Sequence, residues 1–439
     1  MSNLQYIFSR RCWVEGVLQP ACIVIEHGVI IGLEERSSSA TDFGDAIIMP
    51  GVIDAHVHIN EPGRTDWEGF DSGTRAAAAG GVTSIVDMPL NSSPVTTTSN
   101  AFKEKLESSK GKMHVNVGFY GGLVPDNLQS LPDLAKAGVL GIKCFLTHSG
   151  IDDFPNVPVD LLYNALPLLS GYALPLLVHC ELSDDRKASP YYDTYQDYLK
   201  SRPDAWETSA VQAVADAARE TNGRAHIVHV SSAQSLALIR EAREAGVRLT
   251  AETCPHYIFF NAEEIPDNQT IYKCAPPIRG VANNRQLINA LRSGALDFLA
   301  SDHSPAPPDL KEISSGDLAS AWGGIAGLQF LLTASYTALQ NSMTLEEFIP
   351  LLTEKPASFL HLHEKKGYLK TGYDADIVIW DPSKSHVVKE DEIIHRHKAS
   401  PYIGKEINGK IIGTIVNGET VFLNDHFKYL NAGTWLLRK

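Results

Sequence analysis

The sequence predicts an α/β fold: a (β/α)8 barrel of the TIM type beside a small β-sandwich built from both ends of the chain. Three observations predict it. Eight short apolar runs recur through the middle of the 439 residues. Helical stretches with apolar residues three and four apart lie between them. The two ends are instead rich in β-branched residues, broken by Gly and Asp turns.

The elements follow in chain order. Residues 4–48 include "ACIVIEHGVIIGLE", short strands that cannot make a sheet core alone. The eight barrel strands are then expected in "GVIDAHVH", "VTSIVDMP", "MHVNVGFY", "VLGIKCFL", "LPLLVHCE", "AHIVHVSS", "VRLTAETC" and "LDFLASDH". Their apolar character suits a parallel sheet covered on both faces. Helices are expected around Ala76–Ala79, over "AWETSAVQAVADAARE" and over "SAQSLALIREAREAG". Strand alternating with helix implies parallel β-α units, and eight units close a barrel. The end of the chain, "GYDADIVIWD" and "GKIIGTIVNGETVF", supplies the missing partner strands for the first 48 residues. The expected division is residues 1–48 with 372–439 for the sandwich, and 49–371 for the barrel.

Composition narrows the function. A formal net charge of −14 opposes binding to nucleic acid or to an anionic membrane. Arg10 and Arg11 read as solvated surface. The six cysteines, Cys12, Cys22, Cys144, Cys180, Cys254 and Cys274, have no C-x-x-C spacing and read as reduced thiols of an intracellular protein. No signal-peptide core or bilayer-length apolar run is evident, so a cytoplasmic location is expected.

The polar residues inside the apolar runs carry the chemistry. His56 and His58 are two apart, so a strand points them to one side. Lys143 lies within "VLGIKCFL", His179 ends "LPLLVH", His229 ends "AHIVH" and Asp302 ends "LDFLASD". Any one of them alone reads as a hydrogen-bonded structural group or a helix cap. Repetition at the C-terminal ends of five strands, where barrel enzymes keep their sites, points to a metal centre. Imidazole and carboxylate donors suit Zn²⁺, and also Fe²⁺, Mn²⁺ or Co²⁺. A buried lysine ammonium is costly, and burial drives it toward the neutral amine. A neutral amine reacts with carbon dioxide to give a carbamate, a carboxylate able to bridge two metals. Asp54 shares a side of its strand with His56 and is either a partner of a ligand or structural.

In "MPGVIDAHVH", "GIKCF", "VHC", "VHV" and "SDHSP" the chain resembles the amidohydrolase superfamily, in the cyclic amide branch of dihydroorotases, hydantoinases and allantoinases. The resemblance implies a distorted (β/α)8 barrel and two divalent metals, most simply Zn²⁺. It makes His56 and His58 ligands of the more buried metal, Lys143 a carboxylated bridge, and His179 and His229 ligands of the second. Asp302 becomes both ligand and proton shuttle. "EPGRTDWEGFDSGTRAAAAGGVTSIVDMPLNSSP", "GFYGGLVPDN", "AETCPHY" and "KCAPPIRG" are similar to the allantoinases in particular. That resemblance implies hydrolysis of allantoin to allantoate in urate breakdown, and a homotetramer. Asn60 stands where dihydroorotases have a carboxylate-gripping arginine. His148 stands where hydantoinases have an oxyanion-donating tyrosine, and imidazole can donate as well. Asn91, Ala275 and Gly323 are further candidate substrate contacts, with His303 beside Asp302 as a supporting group. Scaffold relatives that have lost ligands are the contrasting class; here every matched position is filled.

Overall fold

A computed structural model of the chain describes residues 4–183, 192 and 194–438. Eight parallel strands form the barrel: Val52–Val57, Val82–Asp87, Asn116–Phe119 with Gly121–Gly122, Ile142–Phe145, Leu176–His179, Ala225–Ile227, Leu249–Thr253 and Phe298–Leu299. Each falls inside one of the eight predicted runs, except that Gly121–Gly122 lies just past "MHVNVGFY". The third strand is split. Asn116–Phe119 pairs with the second strand, whereas Gly121–Gly122 pairs with the fourth. Closure runs through a parallel bridge between Val57 and His303, where the His58 amide donates to the His303 carbonyl at 2.8 Å.

The predicted helices form at Phe70–Ala79, Asp204–Thr221 and Ser235–Glu244. The longest begins after Pro203, with Asp204 and Glu207 in its first turn to suit the positive end of the helix dipole. It ends at Asn222, which takes the left-handed conformation that closes a helix. Ala210, Val211, Val214, Ala215 and Ala218 form its buried face.

The two chain ends combine in one nine-stranded sheet that wraps a core of its own, containing Ile7, Ile23, Ile25, Ile48, Ile377 and Ile415. The join is antiparallel: Ile47–Pro50 from the first part pairs with Ile377–Trp380 from the last. This is the expected sandwich. The tail beyond it leaves the sheet. Trp435–Leu436 pairs in parallel with Val117–Gly118 and covers the edge that the split third strand leaves open. The Trp435 indole N–H donates to Ser109 Oγ at 2.9 Å, which holds the tail there.

Asp376 ties sandwich to barrel. One carboxylate oxygen accepts from the Asn116 side chain at 3.0 Å and from Lys366; the other accepts the Asn417 amide at 2.8 Å. Among the described residues no helix is long and apolar enough to cross a membrane.

Candidate metal centre and active site

The C-terminal ends of the parallel strands open into one cavity of about 370 Å³. Six predicted residues line it together: His56, His58, Lys143, His179, His229 and Asp302. All six are buried. The His56 and His58 rings lie 5.6 Å apart, His56 and His229 5.4 Å, and His179 and His229 4.7 Å. Asp302 Oδ1 stands 3.2 Å from His56 Nε2 and 3.4 Å from His58 Nε2, as the two-residue spacing requires if both rings share one side of the strand. His56, His229 and Asp302 each offer a ligand atom within 4.8 Å of the others.

The electrostatics follow from this crowding. Burial alone would raise the Asp302 carboxyl, but His56, His58 and His229 outweigh it and hold it well below the usual carboxylate range. Burial lowers all four imidazoles, and the charge of Lys143 lowers each further. Burial draws Lys143 itself down to about 8, against the pull of Asp302 and Glu252. Among the described residues its Nζ has no hydrogen-bond partner, and it lies over the Phe145 ring, 4.8 Å from the centroid. Phe145 in turn stacks on His179 at 4.6 Å.

The imidazoles are oriented from behind by carboxylates that the sequence reading did not include. Glu252 accepts the Nδ1 proton of His56 at 2.5 Å and contacts His226 Nε2 at 3.2 Å with its other oxygen. This leaves His56 Nε2 as the free lone pair. Glu181 sits 2.9 Å from His179 Nε2 and is fixed by Arg202 through two hydrogen bonds. That frees His179 Nδ1, which faces His229 Nε2 at 3.0 Å. Histidines that hold metals commonly give their second nitrogen to such a carboxylate. Glu252 lies near the end of a predicted barrel strand, Leu249–Thr253, whose two threonines weaken the contrast that singled out Lys143. Glu181, two residues past His179, carries a weaker signal.

Two backbone conformations at the site are unusual. His229 and Asp302 have φ of 40° and 45°, a left-handed region uncommon for residues other than glycine. Both stand where a strand ends and the chain must turn its side chain inward.

The remaining candidates divide. Asn91, His148, Ala275 and Gly323 line the cavity. The Asn91 side-chain amide lies 3.5 Å from His58 Nδ1. His148 is at the rim, with 61% of its side chain exposed. Its Nδ1 accepts the Gly150 amide at 3.1 Å, which puts the ring proton on Nε2, the donor form. Asn60 is not part of the lining. It is fully buried, and its amide donates to the Pro305 carbonyl at 3.3 Å. Its left-handed φ of 66° suits Asn at a tight turn. Asp54 accepts the amides of His56 at 3.2 Å and Ser301 at 3.1 Å, and thereby ties the first strand to the last. His303 sits 3.3 Å from Glu68, with its ring tilted by 37° against that of His395, 4.6 Å away.

The "Amidohydrolase family" profile matches residues 47–421, which span the barrel and part of the sandwich.

The chain belongs to the amidohydrolase family.

It is similar to "Probable allantoinase" of Oryza sativa subsp. japonica, 43% identical over 99% of this chain and 91% of that protein. "Allantoinase" of Arabidopsis thaliana is 42% identical over 95% and 88%. Among solved structures, the L-hydantoinase (dihydropyrimidinase) of Arthrobacter aurescens superposes with a TM-score of 0.91, at 27% identity, covering 98% of this chain and 99% of that one. The family and this neighbour agree with the barrel-and-sandwich fold described above.

Proposed function

We propose that this chain is an allantoinase, a cyclic amide hydrolase that opens the hydantoin ring of allantoin to give allantoate. The observation that carries the reading is the convergence of four imidazoles, a buried lysine amine and an ionised aspartate on one cavity of about 370 Å³. Similarity to allantoinases along nearly the whole chain selects the substrate among cyclic amides.

The donor set fits two divalent cations. Lys143 Nζ and His229 Nδ1 are buried without hydrogen-bond partners among the described residues, and His179 Nδ1 and His229 Nε2 converge on each other. His56, His58 and Asp302 would hold one ion, and His179 and His229 the other. Lys143, as its carbamate, would bridge them. Zn²⁺ suits this mixture of nitrogen and oxygen donors, as do Fe²⁺, Mn²⁺ and Co²⁺. When bound, such a pair polarises an amide carbonyl and makes a nucleophilic water available near neutral pH.

The protein's own groups do the rest. Asp302, ionised, accepts the proton of the attacking water at a carboxylate oxygen. It then delivers that proton to the departing ring nitrogen, so one carboxylate serves as base and acid in turn. Glu252 and Glu181 keep the lone pairs of His56 and His179 aimed inward. His148 Nε2–H, swung from Asp152 (3.5 Å away) toward the cavity, would donate to the developing oxyanion. Backbone groups at Ala275 and Gly323, with the Asn91 amide, would hold the ring edge. The family resemblance extends the proposal to a homotetramer, which sedimentation checks.

The test is a substrate panel on metal-loaded protein: allantoin, plain hydantoin and dihydrouracil. Turnover of allantoin well above the other two is the expected result. Preference for hydantoin or dihydrouracil would move the chain to the hydantoinase side of the branch.

A further inference from the structure

Two backbone stretches form one wall of the cavity: Lys273 to Ala275, and Trp322 to Gly324. They come from distant parts of the chain. The Gly324 amide donates to the Lys273 carbonyl at 2.9 Å, and a Cβ on Gly323 would sit only 3.8 Å from Ala275. A Cβ on Gly324 would be 2.3 Å from the Ser304 carbonyl, so the second stretch is pressed against the loop that follows Asp302.

Lys311 lies behind this wall, 3% exposed and outside the cavity lining. Its Nζ donates to three main-chain carbonyls: Lys273 at 3.1 Å, Trp322 at 3.0 Å and Gly324 at 2.7 Å. No carboxylate pairs with it among the described residues. A buried ammonium with backbone partners alone is an expensive arrangement, and a solvated lysine would serve a surface loop as well. What the arrangement gives is geometry. One cation joins both stretches, and three N–H donors match three carbonyls.

We propose that Lys311 is a positioning residue: its ammonium staples the Lys273–Ala275 and Trp322–Gly324 backbones together and so sets the wall against which the substrate ring binds. This rests on reading the cavity as the ring-binding site. Lys311 touches no reacting atom. Loss of the staple therefore weakens ring binding and spares the proton transfers at Asp302.

The protonation state matters to the staple, because a neutral amine has only two N–H donors and turns a lone pair toward the third carbonyl. Burial lowers Lys311 to about 7; Cys274 opposes that shift and Lys273 adds to it. Asp317 faces the same group of lysines through Lys273, whose own Nζ donates to the carbonyls of Ala319 and Ala321.

The experiment compares metal-loaded wild type, K311M and K311R. In K311M, KM for allantoin should rise about tenfold or more while kcat stays within about threefold. K311R, which keeps the charge and the donors, should recover part of that loss. Amide exchange at Gly324 should quicken in K311M, with or without substrate. Wild-type KM should rise from about pH 6 to about pH 9 as the third donor is lost, and K311M should lack that rise. A folded K311M with wild-type KM and wild-type exchange at Gly324 overturns the proposal, as does a fall confined to kcat. Should K311M not fold, a wild-type KM that stays flat over the same pH range overturns it. Exchange needs no substrate, so a failure to turn over allantoin counts against the substrate reading alone.

Discussion

Glu252 offers the sharpest test of how the site is held. It has no exposed surface, and its two oxygens serve two imidazoles, His56 Nδ1 at 2.5 Å and His226 Nε2 at 3.2 Å. Glu252→Ala leaves both buried N–H groups without an acceptor. Each orphan costs about 1–3 kcal/mol, so the pair amounts to about 2–6 kcal/mol. The share at His56 would reach a metal held there, because the ring loses the partner that fixes its tautomer and orientation. Loss of such a carboxylate lowers metal affinity about 10–100-fold. The share at His226 falls on the fold, since that ring packs 5.4 Å from Phe298 and 4.3 Å from Phe359. Glu252→Gln separates the two effects. Its amide oxygen still accepts from His56. Its NH2 can donate to His226 Nε2 once that ring's proton sits on Nδ1, which faces Thr250 Oγ1 at 2.8 Å. Metal retained during dialysis against graded chelator, with thermal unfolding in parallel, reads both shares. The expected order is wild type, Gln, then Ala. A folded Ala variant with wild-type metal affinity refutes the reasoning.

Three further outcomes are expected. Lys143→Ala should lose metal and activity together, and short carboxylic acids should restore part of both by standing in for the carbamate; metal analysis and turnover with added acetate or propionate check this. Asp302→Asn should lower kcat by about 10²–10⁴-fold with the fold intact, from loss of the general base and acid, and wild-type turnover would remove Asp302 from the mechanism. Lys366 concerns stability and pH. Burial would lower its pKa, but Asp376 and Asp374 (2.9 Å) outweigh that and raise it. The raised folded value means its contribution is complete below the ordinary lysine value of about 10.4 and is lost as pH rises through the folded value. Denaturant unfolding should show stability falling at strongly alkaline pH. Lys366→Met should remove that dependence and cost about 3–5 kcal/mol, because the buried Asp376 and the partly exposed Asp374 lose their cation.

Much of the site was legible because barrel strands are apolar and regular. Against that background His56, His58, Lys143, His179, His229 and Asp302 each interrupt a pattern, and all six line the cavity. Asn60 shows the limit. Its place two residues after His58 suggested a substrate contact, yet a left-handed turn carries its amide to Pro305 instead. Sequence spacing along a strand predicts the side of a residue, but that rule stops where the strand stops. Lys311 shows a different limit. It lies in an irregular stretch, with no periodicity from which burial could be inferred.

The sequence by itself determined the succession of barrel strands, the pairing of both chain ends into one sheet, and the residue types able to hold a metal. These depend on local patterns of apolar and polar residues, which are present before the chain folds. Only the tertiary structure decided which carboxylate stands behind which imidazole, which nitrogen of each ring is left free, and which distant backbone stretches line the cavity together. Those depend on contacts such as His56 with Glu252, 196 positions apart in the chain. Contacts of that kind come from the closure of the barrel, and no local pattern carries them.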